Sequence, residues 1–318
     1  MKRVEISLVV PCYNEESNVR VFWEETQKNL KDIEHELIFV NDGSQDHTLE
    51  ELKKIQQEAY GDEIVIVNFS RNFGKEAGIY AGLQNASGEY VVLIDADLQQ
   101  PVSVAREMYE FLKQNQDYDA VAAYQEERKE GKVLTAFKTL FYNMINKISD
   151  VKFYKNASDF RCLRRNVVDA VLAMSEYHRF SKGIFAWVGF HTYYRPYQVQ
   201  ERNAGTSSWS FWKLMNYAIE GMISFSTKPL RMITSLGIFT SVLAIIYMVV
   251  VTLQKIIFGN PIPGYPTIIV LILLLGGIQL FVMGIIGEYV AKIHIEVKNR
   301  PIYIAKEVLR KEKHRELK

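Results

Sequence analysis

Two patterns of apolar and polar residues divide this chain. From Glu5 to about Ala123, short apolar runs alternate with stretches of helical periodicity. Ile6–Val10, Leu37–Val40, Ile64–Asn68, Tyr90–Ile94 and Ala120–Ala123 read as strands, the longer ones rich in β-branched residues. Thr48–Ala59 and Lys75–Asn85 read as helices between them, and Ser44 or Asp46 can cap the first. Short strands separated by crossover helices predict an α/β fold with a mostly parallel, doubly wound sheet.

From Met232 to Gly287 the pattern changes, and only Lys255 is charged. Met232–Gln254 is uncharged and long enough to cross a bilayer as a helix, and Thr267–Gly287 makes a second span. Gly276, Gly277, Gly284 and Gly287 allow close helix contact there. Two buried core helices are the alternative, which the length of each run disfavours. Ahead of the spans, Phe211, Leu214, Met215, Ala218, Met222 and Phe225 recur at helical spacing opposite Lys213, Asn216 and Glu220. This predicts an amphipathic helix on the membrane surface, against the alternative of one packed on the soluble domain. Lys228 and Arg231 precede the first span, and Lys292, Lys298, Arg300, Lys306, Arg310, Lys311 and Lys313 follow the second. The connector 258–266 has neither Lys nor Arg. The excess of basic residues places both termini in the cytoplasm of a multi-pass protein of the cell membrane. The division expected is a cytoplasmic domain over 1–209, a juxtamembrane helix over 210–231, two spans within 232–291 (about 232–256 and 266–290) and a basic tail over 292–318. The tail's mixed Lys, Arg and Glu residues read as a solvated helix touching anionic lipid.

Composition adds exclusions. Over 318 residues, 38 Lys+Arg stand against 37 Asp+Glu, a net charge of +1 that argues against a dedicated nucleic-acid binder. With 48% hydrophobic residues the chain is not disordered. Cys12 and Cys162 are isolated thiols, which suggests a reducing compartment, although one disulfide between them stays open. Met1-Lys2-Arg3-Val4-Glu5 has no long apolar stretch behind it, so no secretory signal is expected.

Polar clusters follow the first four strands: Pro11–Glu16, Asn41–Ser44, Ser70–Lys75 and Asp95–Gln99. In a doubly wound sheet these share one edge, where ligands bind. Any one is an ordinary turn sequence by itself; together they mark a site. Asp95 and Asp97, separated by the small Ala96, can hold a hard divalent cation, with Gln99 adding a carbonyl oxygen. A pair of helix-capping acids before Pro101 is the bland alternative. Arg71 and Lys75 suit a diphosphate. Asp42 can accept bonds from a base or ribose, and Tyr13 can pack on a ring. Neither a P-loop sequence nor Gly-x-Gly-x-x-Gly follows any strand.

Pro11–Glu16, Asn41–Ser44, Asn72–Lys75 and Asp95-Ala96-Asp97-Leu98-Gln99 resemble the motifs of family 2 inverting glycosyltransferases, whose fold is the Rossmann-like GT-A fold. Two C-terminal spans after one catalytic domain resemble the polyprenyl-phosphate glycosyltransferases, which include bactoprenol glucosyltransferases and dolichol-phosphate mannose synthase. Arg202-x-x-Gly205-x-Ser207 adds to the likeness. The resemblance implies that Pro11, Tyr13, Glu15 and Asp42 hold the nucleoside. It implies that Asp95, Asp97 and Gln99 bind Mg²⁺ or Mn²⁺ on the donor diphosphate, with Ala96 against the donor. Arg202 would contact the diphosphate from a closing loop, and near Ser208 a basic residue of some members is replaced. Where members often carry Gly-x-Arg before the acceptor loop, this chain reads Ala122–Arg128, so Arg128 is the implied acceptor-phosphate contact, with Gln125 near the missing arginine. Asp159 in Ser158-Asp159-Phe160-Arg161 is the implied catalytic carboxylate beside Asp97. It can act as a base, orient the acceptor, or pair with Arg161, and Arg161 counts as a second acceptor-phosphate contact. A structural ion pair of Asp159 with Arg161 or Arg164 is the alternative.

The implied reaction is inverting transfer of a hexose from a nucleotide sugar to polyprenyl (undecaprenyl) phosphate at the cytoplasmic membrane face. UDP-glucose or UDP-N-acetylglucosamine is favoured over GDP-mannose, and a homo-oligomer is permitted. A lipid phosphate, with a second pKa of about 6, is already largely ionised near neutral pH, which lessens the need for a base. The rivals are a processive polysaccharide synthase, whose Gln-x-x-Arg-Trp motif is missing here, and a non-catalytic nucleotide-sugar-binding membrane protein. The six histidines show no metal-ligand spacing, and His178 and His191 read as structural.

Overall fold

The computed structural model describes residues 4–59, 63–125, 154, 157–198, 228–258 and 264–310. Strands β1 (Ile6–Cys12), β2 (His35–Asn41), β3 (Glu63–Phe69) and β4 (Tyr90–Leu93) alternate with helices α1 (Val19–Leu30), α2 (Thr48–Glu58) and α3 (Lys75–Asn85). Helix α4 (Val102–Gln114), β5 (Ala120–Gln125), β6 (Ala157–Arg164), α5 (Arg165–Leu172), α6 (Ser181–Trp187) and β7 (Thr192–Tyr197) follow. The spatial order is β7-β5-β6-β4-β1-β2-β3-β8, with β8 formed by Ala305–Arg310. β4, β1, β2 and β3 are mutually parallel, as the alternation of strands and helices predicts. The other half departs from that pattern. β6 runs antiparallel to β4 and β5, and β7 returns parallel to β5.

The parallel strands are continuous apolar runs because helices cover both faces. Ile6, Leu8 and Val10 pack into one layer with Phe22, Leu52 and Met108, and Val9, Ile38 and Val40 into the other with Ala77, Ala81 and Val168. α3 sits so close to the sheet that a Cβ at Gly82 would lie 2.1 Å from Val9 Cγ1. Cys12 and Cys162 are buried and free, and burial pushes both thiols up, away from the reactive thiolate.

Helices α7 (Lys228–Phe258) and α8 (Tyr265–Val297) contain both expected spans and contact each other. Their apolar stretches, Leu230–Ile257 and Val270–Val297, are not buried by the rest of the chain. Ile238, Leu273 and Leu280 are 62%, 70% and 72% exposed, a surface that calls for lipid around it. A Cβ added at Gly276, Gly277, Gly284 or Gly287 meets nothing within 4 Å, so the close contact expected through these glycines does not form within the chain. The amphipathic stretch 210–226 lies outside the described residues.

The tail corrects another expectation. Instead of a solvated helix, Ala305–Arg310 forms β8, antiparallel to β3. Exposure alternates along it, so Glu307 and Leu309 turn toward the domain while Lys306, Val308 and Arg310 turn out. Glu307 pairs with Lys53 at 2.9 Å and accepts from Asn68 at 3.2 Å. Tyr303 stacks on Phe69 with ring centres 4.8 Å apart, and Ser70 N–H donates to Ile304 O at 2.9 Å. The segment leaving the second apolar helix thus closes the open edge of the sheet.

Candidate active site

The loops after β1–β4 meet at the carboxyl edge of the sheet. The first two are laced together: Asn14, with φ 57°, donates its N–H to Ser44 Oγ at 3.0 Å and accepts from Gln45 N–H at 2.9 Å. Glu15 N–H donates to Thr48 Oγ1 at 2.8 Å, and the Glu15 carboxylate accepts from Asn18 at 2.6 Å. Of the two proposed caps of α2, Asp46 meets the helix start, accepting Thr48 N–H at 3.1 Å. Pro11 stays in β1, and Tyr13 is 45% exposed at the rim.

Gly43 explains how the second and third loops touch. Its φ is +65°, and a Cβ there would fall 2.4 Å from Arg71 C. The next strand-end carboxylate does more than line the rim. Asp42 is 4% exposed, and its two oxygens accept Phe73 N–H at 2.6 Å and Gly74 N–H at 2.9 Å. Burial raises its pKa, opposed by those amides and by Arg71. The side chain read as an acceptor for base or ribose therefore shapes the β3–α3 loop. Arg71 stands on that loop, exposed, 4.1 Å over the Phe73 ring.

Lys75 opens α3, and its Nζ lies 2.6 Å from Asp95 Oδ1 and 3.8 Å from Asp159 Oδ2. Burial opposes its charge, but Asp95, Asp159 and Asp97 outweigh that and raise its pKa above the ordinary lysine range. Asp95 is held from its other side by Gln100, which sequence reasoning missed. Gln100 is 6% exposed, donates to Asp95 Oδ2 at 2.9 Å and accepts Asp95 N–H at 2.9 Å. Ala96 is buried beneath the loop. Asp97 Oδ1 accepts Gln99 N–H at 3.1 Å, so Gln99 is seen supporting Asp97 through its backbone. Leu98 between them has φ 60°, a conformation rare for a leucine and concentrated at sites.

Asp159 arrives from β6, on the antiparallel side. One of its oxygens is buried with no hydrogen-bond partner. Burial acts against its ionisation, yet Lys75, Lys182 and Arg161 together hold the carboxyl below its ordinary pKa. The nearest cation is thus Lys75. Arg164 is occupied elsewhere, donating to the Tyr118, Leu112 and Asn115 carbonyls at 2.8, 2.6 and 3.2 Å. Arg161 does not offer an open phosphate contact. It is 5% exposed, with its guanidinium 4.6 Å over the Phe185 ring. Beside Asp159 lies Glu76, whose Oε2 accepts Ser181 N–H at 2.9 Å and the Ser181 hydroxyl. Burial, then the Asp159 charge, raise its pKa to about 7. His191 is structural, stacked on Tyr118 with ring centres 4.4 Å apart. Arg128, Arg202 and Ser208 lie outside the described residues.

The structure brings Asp95, Asp97, Lys75 and Asp159 together at the carboxyl edge of the sheet. Among the described residues no three His, Cys, Asp or Glu side chains gather as a closed metal site. Two oxygen-donor carboxylates fit a hard cation that completes its shell with phosphate oxygens and water.

Comparison with known proteins shows the family. The model of glycosyl transferase family 2 matches residues 7–172, and that of the GtrB C-terminal hairpin matches residues 228–293. The putative glycosyltransferase CsbB of Bacillus subtilis is 42% identical over 310 residues, covering 96% of this chain and 93% of the relative. The bactoprenol glucosyl transferase of Shigella phage SfII is 42% identical over 307 residues, covering 95% and 98%. Among solved structures, mannosyl-3-phosphoglycerate synthase from Rubrobacter xylanophilus aligns with a TM-score of 0.48 at 16% identity, over 68% of this chain and 71% of that one. The chain belongs to glycosyl transferase family 2, and it is a glycosyltransferase.

Proposed function

We propose that this enzyme transfers glucose from UDP-glucose to a polyprenyl phosphate, with inversion at the anomeric carbon, giving a lipid-linked monosaccharide. One observation carries the reading: Lys75 meets both Asp95 and Asp159 at the carboxyl edge of the sheet, in a chain whose C-terminal part carries a hairpin of exposed apolar helices. The relative named for bactoprenol glucosyl transfer, similar along nearly its whole length, favours glucose and a polyprenyl acceptor.

Pro11, Tyr13 and Glu15 line the nucleoside end, with Asp42 holding the loop that carries Arg71. Asp95 and Asp97 would hold Mg²⁺ or Mn²⁺, which when bound neutralises charge on the diphosphate. Lys75, kept charged by its carboxylate neighbours, stands where the leaving diphosphate gains charge. Asp159 orients the acceptor. Its ionised carboxylate is available as a base, but a phosphate monoester near neutral pH supplies its own anionic oxygen. By resemblance, Arg128 would contact the acceptor phosphate and Arg202 the donor diphosphate. The basic flanks of the apolar helices support a cytoplasmic side for the catalytic domain and both termini.

The test is to incubate membranes containing the enzyme with polyprenyl phosphate and, in parallel, labelled UDP-glucose, UDP-N-acetylglucosamine and GDP-mannose. A lipid-linked hexose from UDP-glucose is expected. A polymer would instead make it a synthase, and binding without turnover would refute transfer.

A further inference from the structure

Three cations act on Asp159, and two have been placed: Lys75 beside it, and Arg161 buried beneath the Phe185 ring. The third is Lys182, half-buried at the second position of α6. Its place follows from two periodicities. Asp159 and Arg161 are two apart on β6 and share a face of the sheet. Lys182 and Phe185 are three apart on α6 and share a face of the helix. Since Phe185 packs over Arg161, one step along each element brings Lys182 toward Asp159, in keeping with its electrostatic pull on that carboxylate.

The segment leading into α6 is fixed at both ends. Ser181, next to Lys182, is held by Glu76, which itself follows Lys75. Tyr177 N–H donates to both carboxylate oxygens of Glu296, at 3.2 Å each, in the last turn of α8. Between these ends Arg179 lies 4.4 Å over the Tyr80 ring and donates to Val171 O at 3.3 Å. A polar bracket therefore runs from the end of the second apolar helix to the mouth of the cleft.

We propose that Lys182 receives the phosphate of the lipid acceptor, on the opposite side of Asp159 from the donor diphosphate. The assignment rests on the reading of the protein as a polyprenyl-phosphate glycosyltransferase. A phosphate monoester near neutral pH carries about −1.5 to −2 charges and needs a cation at the point of attack. Buried Arg161 is poorly placed to meet it. Lysine suits the task as a compact point charge on a flexible stem. Glu76, Ser181, Tyr177 and Glu296 act as positioning residues that fix its distance from both the cleft and the bilayer.

The test uses the full-length enzyme in neutral detergent micelles containing polyprenyl phosphate. Lys182→Met is expected to raise the KM for polyprenyl phosphate about tenfold or more, as expected for loss of one charge-assisted contact. The Kd for UDP and the KM for UDP-glucose should stay within about twofold, and Lys182→Arg should recover most of the loss. Product formation by the wild type tests the parent reading separately; if it makes none, that reading falls and this assignment with it. In an active wild type, an unchanged acceptor KM in Lys182→Met overturns the assignment alone. So does a matching rise in both KM values, or equal damage from Lys182→Arg, since either indicates a structural role. An effect confined to anionic vesicles and missing in neutral micelles would assign Lys182 to bilayer charge and overturn it as well.

Discussion

The parallel and antiparallel sides of the cleft reach similar chemistry by different routes. On the parallel side each functional loop leaves a strand and leads directly into a helix, and its partners come from the other loops at the same sheet edge. Asp42 at the end of β2 holds the loop after β3, and Lys75 at the start of α3 meets Asp95 after β4. On the antiparallel side nothing is consecutive. Asp159 comes from β6, Lys182 from α6, and the bracket behind them ends on Glu296 of α8, 119 residues from Tyr177. The first side is set by local chain geometry and the second by tertiary contacts with the membrane hairpin. That difference teaches where substitutions should separate: parallel-side changes should act on the donor, and antiparallel-side changes on the acceptor and on the coupling to the bilayer.

The largest effect should come from the parallel side. Asp97→Asn removes one of two candidate metal carboxylates while keeping its shape. A fall in kcat of about 10³-fold is expected, measured as labelled lipid product at saturating Mg²⁺, with a similar loss after chelation. Intact transfer in this variant at low metal would break the metal assignment and, with it, the division between the two sides.

Asp159→Asn should follow, with kcat down about 10²-fold, mostly unchanged donor affinity and an unchanged melting temperature. The opposite pattern, a lower melting temperature with intact kcat/KM, would make Asp159 a structural partner of Lys75. Asp42→Asn should be milder. It keeps one acceptor for Phe73 and Gly74 but sets an NH₂ against the other amide. About a tenfold rise in the KM for UDP-glucose is expected, with the acceptor KM unmoved. An acceptor effect of equal size would show that the two sides share one rigid loop system.

The same contrast decides what could be read in the sequence. Four strand ends followed by polar loops were legible because each signal is local: an apolar run, then Asn41-Asp42-Gly43-Ser44 or Asp95-Ala96-Asp97. The apolar helices were legible from length and lack of charge. Gln100 was not, since nothing in its neighbours says that a glutamine will turn back five residues to clamp Asp95. Neither was the shaping role of Asp42, which is a bond to backbone 31 and 32 residues away. The strand β8 was hidden because its charged and apolar residues come in adjacent pairs, Lys306-Glu307 and Val308-Leu309, rather than alternating. Lys306, Glu307, Arg310 and their neighbours read as a solvated helix unless β3, with Asn68 and Phe69 at its end, is known to lack a partner. Arg161 was expected to contact the acceptor phosphate. The strand sets it and Asp159 on one face, but α6 then covers the arginine.

The smallest effect should be a pH dependence of stability at Glu76, where the two sides touch. This carboxyl faces Asp159 from β6, Ser181 and Arg179 from the bracket, and follows Lys75 on its own helix. Its folded pKa is raised from the ordinary 4.5 to about 7, by burial and then by Asp159. Between those values the folded protein holds a proton that the unfolded chain has released, so stability falls as pH rises through that window. The contribution is complete below the unfolded pKa and gone above the folded one. Allowing for solvent around a partly exposed side chain, the effect should be about 1 kcal/mol. Glu76→Gln removes the titration while keeping an acceptor for Ser181, so its melting temperature should drop less than the wild type's between pH 5 and pH 8. Parallel curves for the two proteins would mean that Glu76 feels neither burial nor Asp159. The two sides of the cleft would then lack an electrostatic link at the residue that joins them.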